Sequence, residues 1–292
     1  MWTNVKIKLK NINNESLKEV ISSYLFDCGA YGVEEKGGEL RASFHSSKAN
    51  DIFRKSLSIY LKALKKDFSG FSYRVRVSEV KSTNWAEKWK KYFKPEKVSK
   101  NFVIKPSWEP YKALKGETVI EINPGMAFGT GLHPTTRMVL KGIEMLVEKG
   151  KIETDKASFL DVGTGTGILA IAAKKLGFRK VKAIDIDGEA LKAAKENILL
   201  NSLNGEIELS FIDISKIVEN YNLVAANITA GEIMEIWGEI DSKVKEGGFL
   251  ILSGILKNQE EEFLNGILSD KLRLAQRFKQ KEWSAFILKK EL

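Results

Sequence analysis

Of the chain's 292 residues, the stretch Phe159-Leu-Asp-Val-Gly-Thr-Gly-Thr-Gly167 most restricts what it can fold into. A short apolar run ends in Asp161. Glycines follow at 163, 165 and 167, and then an Ala/Ile/Leu-rich run from Ile168 to Leu176. This is the pattern of a buried strand that breaks into a glycine turn and restarts as a helix. Glycine lets the backbone turn tightly and come close to a ligand, and the first turn of the helix offers unpaired N–H groups. Such a turn is more often a nucleotide pocket than a plain loop.

Spacing decides which nucleotide. The dinucleotide fingerprint G-x-G-x-x-G needs a glycine where this chain has Ile168. The pattern present, D-x-G-x-G-x-G, resembles the first motif of the S-adenosylmethionine-dependent methyltransferases. A second apolar run, Val181 to Ile184, ends in Asp185-Ile-Asp187. A carboxylate at the tip of the second strand suits the two hydroxyls of a ribose. Nicotinamide enzymes use the same device, so Asp185 alone does not separate the cofactors; the glycine spacing favours the methyl donor.

From Ala157 onward, strand and helix patterns alternate. Strands are expected at Ala157–Val162, Lys180–Asp185, Glu206–Ile212, Asn222–Asn227 and Gly248–Ser253. Helices are expected near 167–177, 188–201, 231–244 and 257–268. Two last strands, Leu272–Lys279 and Trp283–Lys289, have only a three-residue link and must pair antiparallel. The fold class is α/β: a doubly wound, Rossmann-like sheet closed by an antiparallel C-terminal hairpin, as in class I methyltransferases. Its ligand belongs at the strand C-termini, where Gly163, Asp185, Asp213 and Asn227 all fall.

The first 80 residues read as a separate α+β unit in the order βαββαβ, which matches the ferredoxin-like arrangement. The helix near 14–28 carries Leu17, Val20, Ile21, Tyr24 and Leu25 on one stripe. The helix near 48–66 carries Ile52, Leu57, Tyr60, Leu61 and Leu64. A hairpin turn is read at Lys36-Gly37-Gly38. Residues 81–96 read as a connecting helix with Trp85, Trp89, Tyr92 and Phe93 on one face, ended by Pro95. The expected domains are therefore 1–80, a connecting helix 81–96, and 97–292. Within the last, Asn101–Lys105 and Thr118–Ile122 read as short strands.

Composition excludes several classes. No run approaches 18 apolar residues, and the first ten residues carry frequent charges with no signal-like apolar core. A cytoplasmic protein is expected. The single cysteine, Cys28, rules out an internal disulfide and reads as a buried structural thiol; with only two histidines, a metal site is not expected. Charge is uneven: residues 1–100 hold 21 Lys+Arg against 11 Asp+Glu, and the rest of the chain is close to neutral. A basic N-terminal third fits either a nucleic-acid-rich partner or a solvated lysine surface.

The block Asn123-Pro-Gly-Met-Ala-Phe-Gly-Thr-Gly-Leu-His-Pro-Thr-Thr136 resembles that of the PrmA family, methyltransferases of the large-subunit ribosomal protein L-eleven. In that family, as here, the glycine motif, an Asp-Ile-Asp strand end and an Ala-Asn-Ile turn follow, and the resemblance covers nearly the whole chain. It implies S-adenosyl-L-methionine as cofactor. It further implies methyl transfer to α-amino and lysine ε-amino groups of that protein, free or near the ribosome, with no direct nucleic-acid readout and no membrane.

The family's cofactor contacts fall on Thr136, Gly163, Asp185 and Asn227. Gly165 joins them because it lets the backbone approach the ligand, whereas Gly167 reads as a packing glycine. Thr136 is expected to hold the donor's carboxylate at a helix N-terminus, or to be an ordinary cap. Asp213 could accept from the adenine amino group or cap a turn. Catalytic candidates are His133 and Asn227. Thr229 stands where the family usually has Leu, and no Asn-Pro-Pro-Tyr motif is present. The alternatives are a methyltransferase of RNA or of a small molecule, a nicotinamide oxidoreductase, which Ile168 argues against, and a silent binder that keeps the cofactor site.

Overall fold

The computed structural model describes residues 2–10, 15–36, 38–45, 51–68, 71–80, 93–123 and 131–291. The chain divides into two compact units, Met1–Tyr92 and Phe93–Leu292.

The first unit runs β1 (Trp2–Lys10), α1 (Glu15–Asp27), β2 (Gly32–Lys36), β3 (Glu39–His45), α2 (Asp51–Asp67) and β4 (Ser72–Val80). Its sheet has the order β2-β3-β1-β4, antiparallel throughout. Alternation along the strands sends Val5, Ile7, Leu40, Ala42 and Phe44 to one face, where Leu17, Ile21 and Leu25 of α1 and Leu57, Leu61 and Leu64 of α2 cover them. Three sequence expectations differ in detail. Val20 is exposed, because the i, i+4 row 17–21–25 points straight at the sheet and leaves Val20 on its flank. Phe53 fills the α2 position nearest Phe44, and the Ile52 side chain lies outside the described residues. Cys28 is half-buried rather than buried, since the chain leaves α1 there through Gly29 (φ 88°).

Residues 81–92 of the expected connecting helix, with Trp85, Trp89 and Tyr92, lie outside the described residues, as does Gly37 of the expected hairpin turn. The helix does not extend to 96 as expected: residues 93–95 are irregular and Glu96–Lys97 form strand β5. Pro95 cannot donate a helical hydrogen bond, which suits an extended exit.

The second unit opens with a three-stranded sheet in which β5 pairs antiparallel with β6 (Phe102–Pro106) and β6 parallel with β7 (Thr118–Ile122). There follow α3 (Pro134–Glu148), β8 (Ser158–Val162), α4 (Ile168–Lys175), β9 (Lys180–Asp185), α5 (Gly188–Leu200), β10 (Glu208–Phe211) and β11 (Tyr221–Asn227). The unit ends with α6 (Ala230–Glu235), α7 (Trp237–Ser242), β12 (Val244–Leu256), α8 (Glu260–Ile267), β13 (Leu272–Gln280) and β14 (Trp283–Lys290). The seven-stranded sheet has the order β10-β9-β8-β11-β12-β14-β13. Pairing is parallel from β10 to β12, and β14 inserts antiparallel between β12 and β13.

Helices cover both faces, so the central strands bury apolar side chains on both sides rather than at every second position. In β12, Phe249 and Ile251 enter the core under α3 and α4, while Leu250 and Leu252 enter the core under α6 to α8. The helix expected over 231–244 is two short helices, broken where Ile236 leaves helical geometry (φ −111°, ψ 22°). Strand order reverses between β8 and β11, whose C-terminal ends therefore open a crevice.

Candidate active site

The glycine turn after β8 is shaped by three left-handed residues: Gly163 (φ 66°), Gly165 (φ 55°) and Gly167 (φ 80°). A Cβ on Gly163 would sit 2.6 Å from the Cγ2 of Ile228, and one on Gly167 would press on Ala194 of α5. Gly167 is thus a packing glycine, as expected, although its partner is a helix. Below the turn, Asp161 is completely buried. Its Oδ2 accepts the Thr164 hydroxyl at 2.6 Å and the Ala170 N–H at 3.2 Å, which ties both ends of the turn together. Burial pushes this carboxyl up to about 7; the two donors oppose the rise and the nearby Asp185 charge adds to it.

Asp185 ends β9. One carboxylate oxygen accepts the Gly165 N–H and the other the Asp187 N–H, both at 2.9 Å. The residue expected to hold a ribose therefore also fixes the glycine turn, and each oxygen keeps a further lone pair for a ligand. Asp213, after β10, caps the next turn through Ser215 N–H at 2.8 Å, which holds its carboxyl below the usual range. It lines the cleft as well.

On the other side of the reversal, Asn227 ends β11, nine-tenths buried. Its Nδ2 donates to the Thr136 hydroxyl at 3.3 Å, and its Oδ1 has no partner among the described residues. Thr136 is wholly buried and bonded to Asn227, while Thr135 and His133 line the cleft directly. The cap of α3 is His133: its Nδ1 lies 2.8 Å from the Thr135 hydroxyl and accepts the Thr135 N–H, and Pro134 supplies a first helical residue with preset φ. The His133 ring meets Trp283 edge-on at 5.3 Å, and burial lowers its pKa.

These groups border one cleft of about 550 Å³, within the usual range for small-molecule sites. Gly163, Gly165, Asp185, Asn227 and His133 are all on its wall; Thr136 stands behind it. The chain's own sequence also held signals not read as site residues. Gly254 interrupts strand β12 at a register shift, in a left-handed conformation (φ 94°) that lets the Ile228 carbonyl approach where a side chain would stand. A lone glycine inside a strand pattern is the signature of such a close approach. Trp283, Glu232 and Glu235 carried no signal, since only the fold brings β14 and α6 to the cleft.

Asn197 and Asn201, one turn apart on α5, support the site from behind. Asn197 Oδ1 accepts Asn123 N–H at 2.8 Å and its Nδ2 donates to the Thr166 carbonyl at 2.9 Å. Asn201 grips both backbone groups of Glu121. They join the glycine turn to β7, where the block 123–136 starts; its residues 124–130 lie outside the described residues.

A family model described as ribosomal protein L11 methyltransferase (PrmA) matches residues 1–291. Among curated relatives, the ribosomal protein L11 methyltransferase of Geotalea daltonii is 40% identical over 255 residues, 85% of this chain and 81% of that one. That of Caldicellulosiruptor bescii is 34% identical over 99% of both chains. A crystal structure of a ribosomal protein L11 methylase from Lactobacillus delbrueckii subsp. bulgaricus superposes with a TM-score of 0.62 at 31% identity, over 68% of this chain and all of that one. With the full-length match and the sheet order and cleft described above, this chain belongs to the ribosomal protein L11 methyltransferase (PrmA) family.

Proposed function

We propose that the chain is a protein N-methyltransferase that moves methyl groups from S-adenosylmethionine to α-amino and lysine ε-amino groups of the large-subunit ribosomal protein L11. The observation that carries this reading is convergence. A glycine turn, a carboxylate and an amide, each at the end of a different parallel strand, face one cleft at the reversal of strand order in a chain of this family.

The cleft suits the donor. Asp185 offers lone pairs to ribose hydroxyls, and Gly163 and Gly165 let the backbone approach. Ile184, Ile186, Ile212 and Ile214 supply aliphatic walls for a flat base, with Asp213 at their edge. Bound S-adenosylmethionine supplies an electrophilic methyl group on a sulfonium.

The residues of the chain then position an amine. Asn227, on the cleft wall and held by Thr136, is read as the group that would accept one N–H of a neutral amine and so aim its lone pair. Holding two reactants in register is worth up to about 7–11 kcal/mol of barrier without any covalent intermediate. His133, kept neutral by burial, adds no positive charge beside a cationic donor. An α-amino group, with pKa about 7.7–8.0, loses its proton more readily than lysine at about 10.4, and burial narrows the gap by disfavouring the charged lysine.

The order β2-β3-β1-β4 supports reading the first unit as a ferredoxin-like, substrate-recognition domain, with domain limits at 1–80 and 97–292. A ribosomal substrate sets the reaction in the cytoplasm. The test is incubation with radiolabelled S-adenosylmethionine and unmethylated ribosomes, resolved into protein, RNA and small molecules. Label on L11, mapped to amines by mass spectrometry, is the expected result; label on RNA or a metabolite would overturn the substrate and leave the pocket.

A further inference from the structure

The two helices of the first unit cover one face of its sheet. Val5 and Ile7 of β1 point to those helices, so Lys6 and Lys8, one residue out of step, stand on the other face. β1 pairs with β4 in a register that sets Lys6 directly opposite Arg76 and Lys8 directly opposite Arg74. The result is a square of four cations, about 5 Å across the strands and about 7 Å along them. On its other side Lys6 faces Arg41 of β3, so three cations stand in one row across three strands.

Lys8, Arg74 and Arg76 are exposed and Lys6 is half-buried, and none of the four pairs with a carboxylate among the described residues. The described carboxylates on this face lie toward β2. Glu39 bonds Arg41 at 3.3 Å, and Glu34 stands opposite Arg41. The half formed by β1 and β4 is left unneutralised. Like charges directly opposite on adjacent strands repel and weaken a sheet, so folding stability does not account for the square. No described side chain on this face is aromatic or aliphatic, so it lacks the anchors on which protein interfaces centre. The chain's excess charge sits in the same part: residues 1–100 hold 21 Lys+Arg against 11 Asp+Glu.

We infer that this face binds the phosphate backbone of RNA, with Lys6, Lys8, Arg74 and Arg76 at its centre. Arginine forks grip phosphate oxygens two at a time, and the lysines add compact point charges beside them. RNA presents a charge at every nucleotide, and neutralising those charges releases condensed counterions, a gain open to cations that hold no carboxylate of their own. Phosphate contacts position a protein without reading sequence, so the face holds RNA whatever its bases. The cleft is lined by residues of the second unit alone, so this is a second site and does not rest on the methyl-transfer reading.

The full-length protein is titrated with a short fluorescent single-stranded RNA of arbitrary sequence across a salt series, wild type beside Lys6→Gln/Lys8→Gln/Arg74→Gln/Arg76→Gln. Loss of four phosphate contacts should weaken binding roughly a hundredfold at about 0.1 M salt and make the slope of log K on log salt shallower by about 3. A matched variant, Lys112→Gln/Lys115→Gln/Lys192→Gln/Lys195→Gln, removes the same charge from exposed positions of the second unit and should stay within about threefold of wild type. The square variant should melt at or above the wild-type temperature, because it sheds like-charge contacts. If it unfolds instead, Arg74→Gln/Arg76→Gln on edge strand β4 should still show about half the change in slope. Wild type without measurable RNA affinity, a square variant that keeps affinity and slope, or a matched variant that loses as much overturns the inference. Polyglutamate of equal charge binding as tightly as the RNA also overturns it, and reassigns the face to an acidic protein segment.

Discussion

Asp161 makes the sharpest prediction. Its carboxyl stands at about 7 in the folded protein against an ordinary 3.8, chiefly because it is fully buried. A folded-state pKa raised above the unfolded value means that the native state binds the proton more tightly. The stabilisation is complete below about pH 4 and is lost as pH rises to about 7. At about 1.4 kcal/mol per pH unit, the loss across that window is roughly 4 kcal/mol.

Asp161→Asn mimics the protonated form and removes this dependence. The Asn amide can still accept from Thr164 and Ala170, but its NH2 takes the place of an oxygen that has no partner, so a constant penalty of about 1–3 kcal/mol is expected. Slope, not level, is therefore the observable. Chemical denaturation from pH 4.5 to 8 should show the variant gaining on wild type as pH rises, by most of those 4 kcal/mol. Subtracting the two curves cancels the carboxylates common to both, such as Glu117 and Glu148, whose lowered pKa values give an opposite slope. Parallel curves would refute the reasoning and place the Asp161 charge on a better-solvated group than its burial implies.

Asp185→Ala should cost twice: about 1.5–3 kcal/mol of stability for each lost charge-assisted bond to Gly165 or Asp187, by denaturation, and at least tenfold in S-adenosylmethionine affinity, by calorimetry. Unchanged donor affinity would remove Asp185 from the pocket. Gly254→Ala should destabilise by about 2–4 kcal/mol, because a Cβ there overlaps the Ile228 carbonyl in a left-handed backbone; a thermal midpoint equal to wild type would contradict that close approach. Asn197→Ala removes its bonds to Asn123 N–H and the Thr166 carbonyl, so about 2–4 kcal/mol is expected, and faster hydrogen exchange at Asn123 would report the loosened block.

Much of this protein is decided locally. The run into Asp161, the three glycines and the Ala/Ile/Leu helix form strand, turn and helix largely from local constraints, because glycine takes the left-handed φ values found at 163, 165 and 167 without the steric cost other residues meet. Continuous apolar runs fix the central strands, and a three-residue link fixes the antiparallel hairpin. So the doubly wound sheet and the places of Gly163, Asp185 and Asn227 at its strand ends were legible. What local pattern cannot carry is which distant side chains meet. Thr136 and Asn227, 91 residues apart in the chain, meet only in the fold, where the Asn227 amide donates to the Thr136 hydroxyl. Trp283 reaches the site only because β14 inserts beside β12, and Gly254 because β12 pairs with β11. The acidic side chains of the cleft wall, Asp185, Asp187, Asp213, Glu232 and Glu235, are likewise scattered through a lysine-rich chain, and they share one field only once β9, β10 and α6 are folded around the reversal of the sheet.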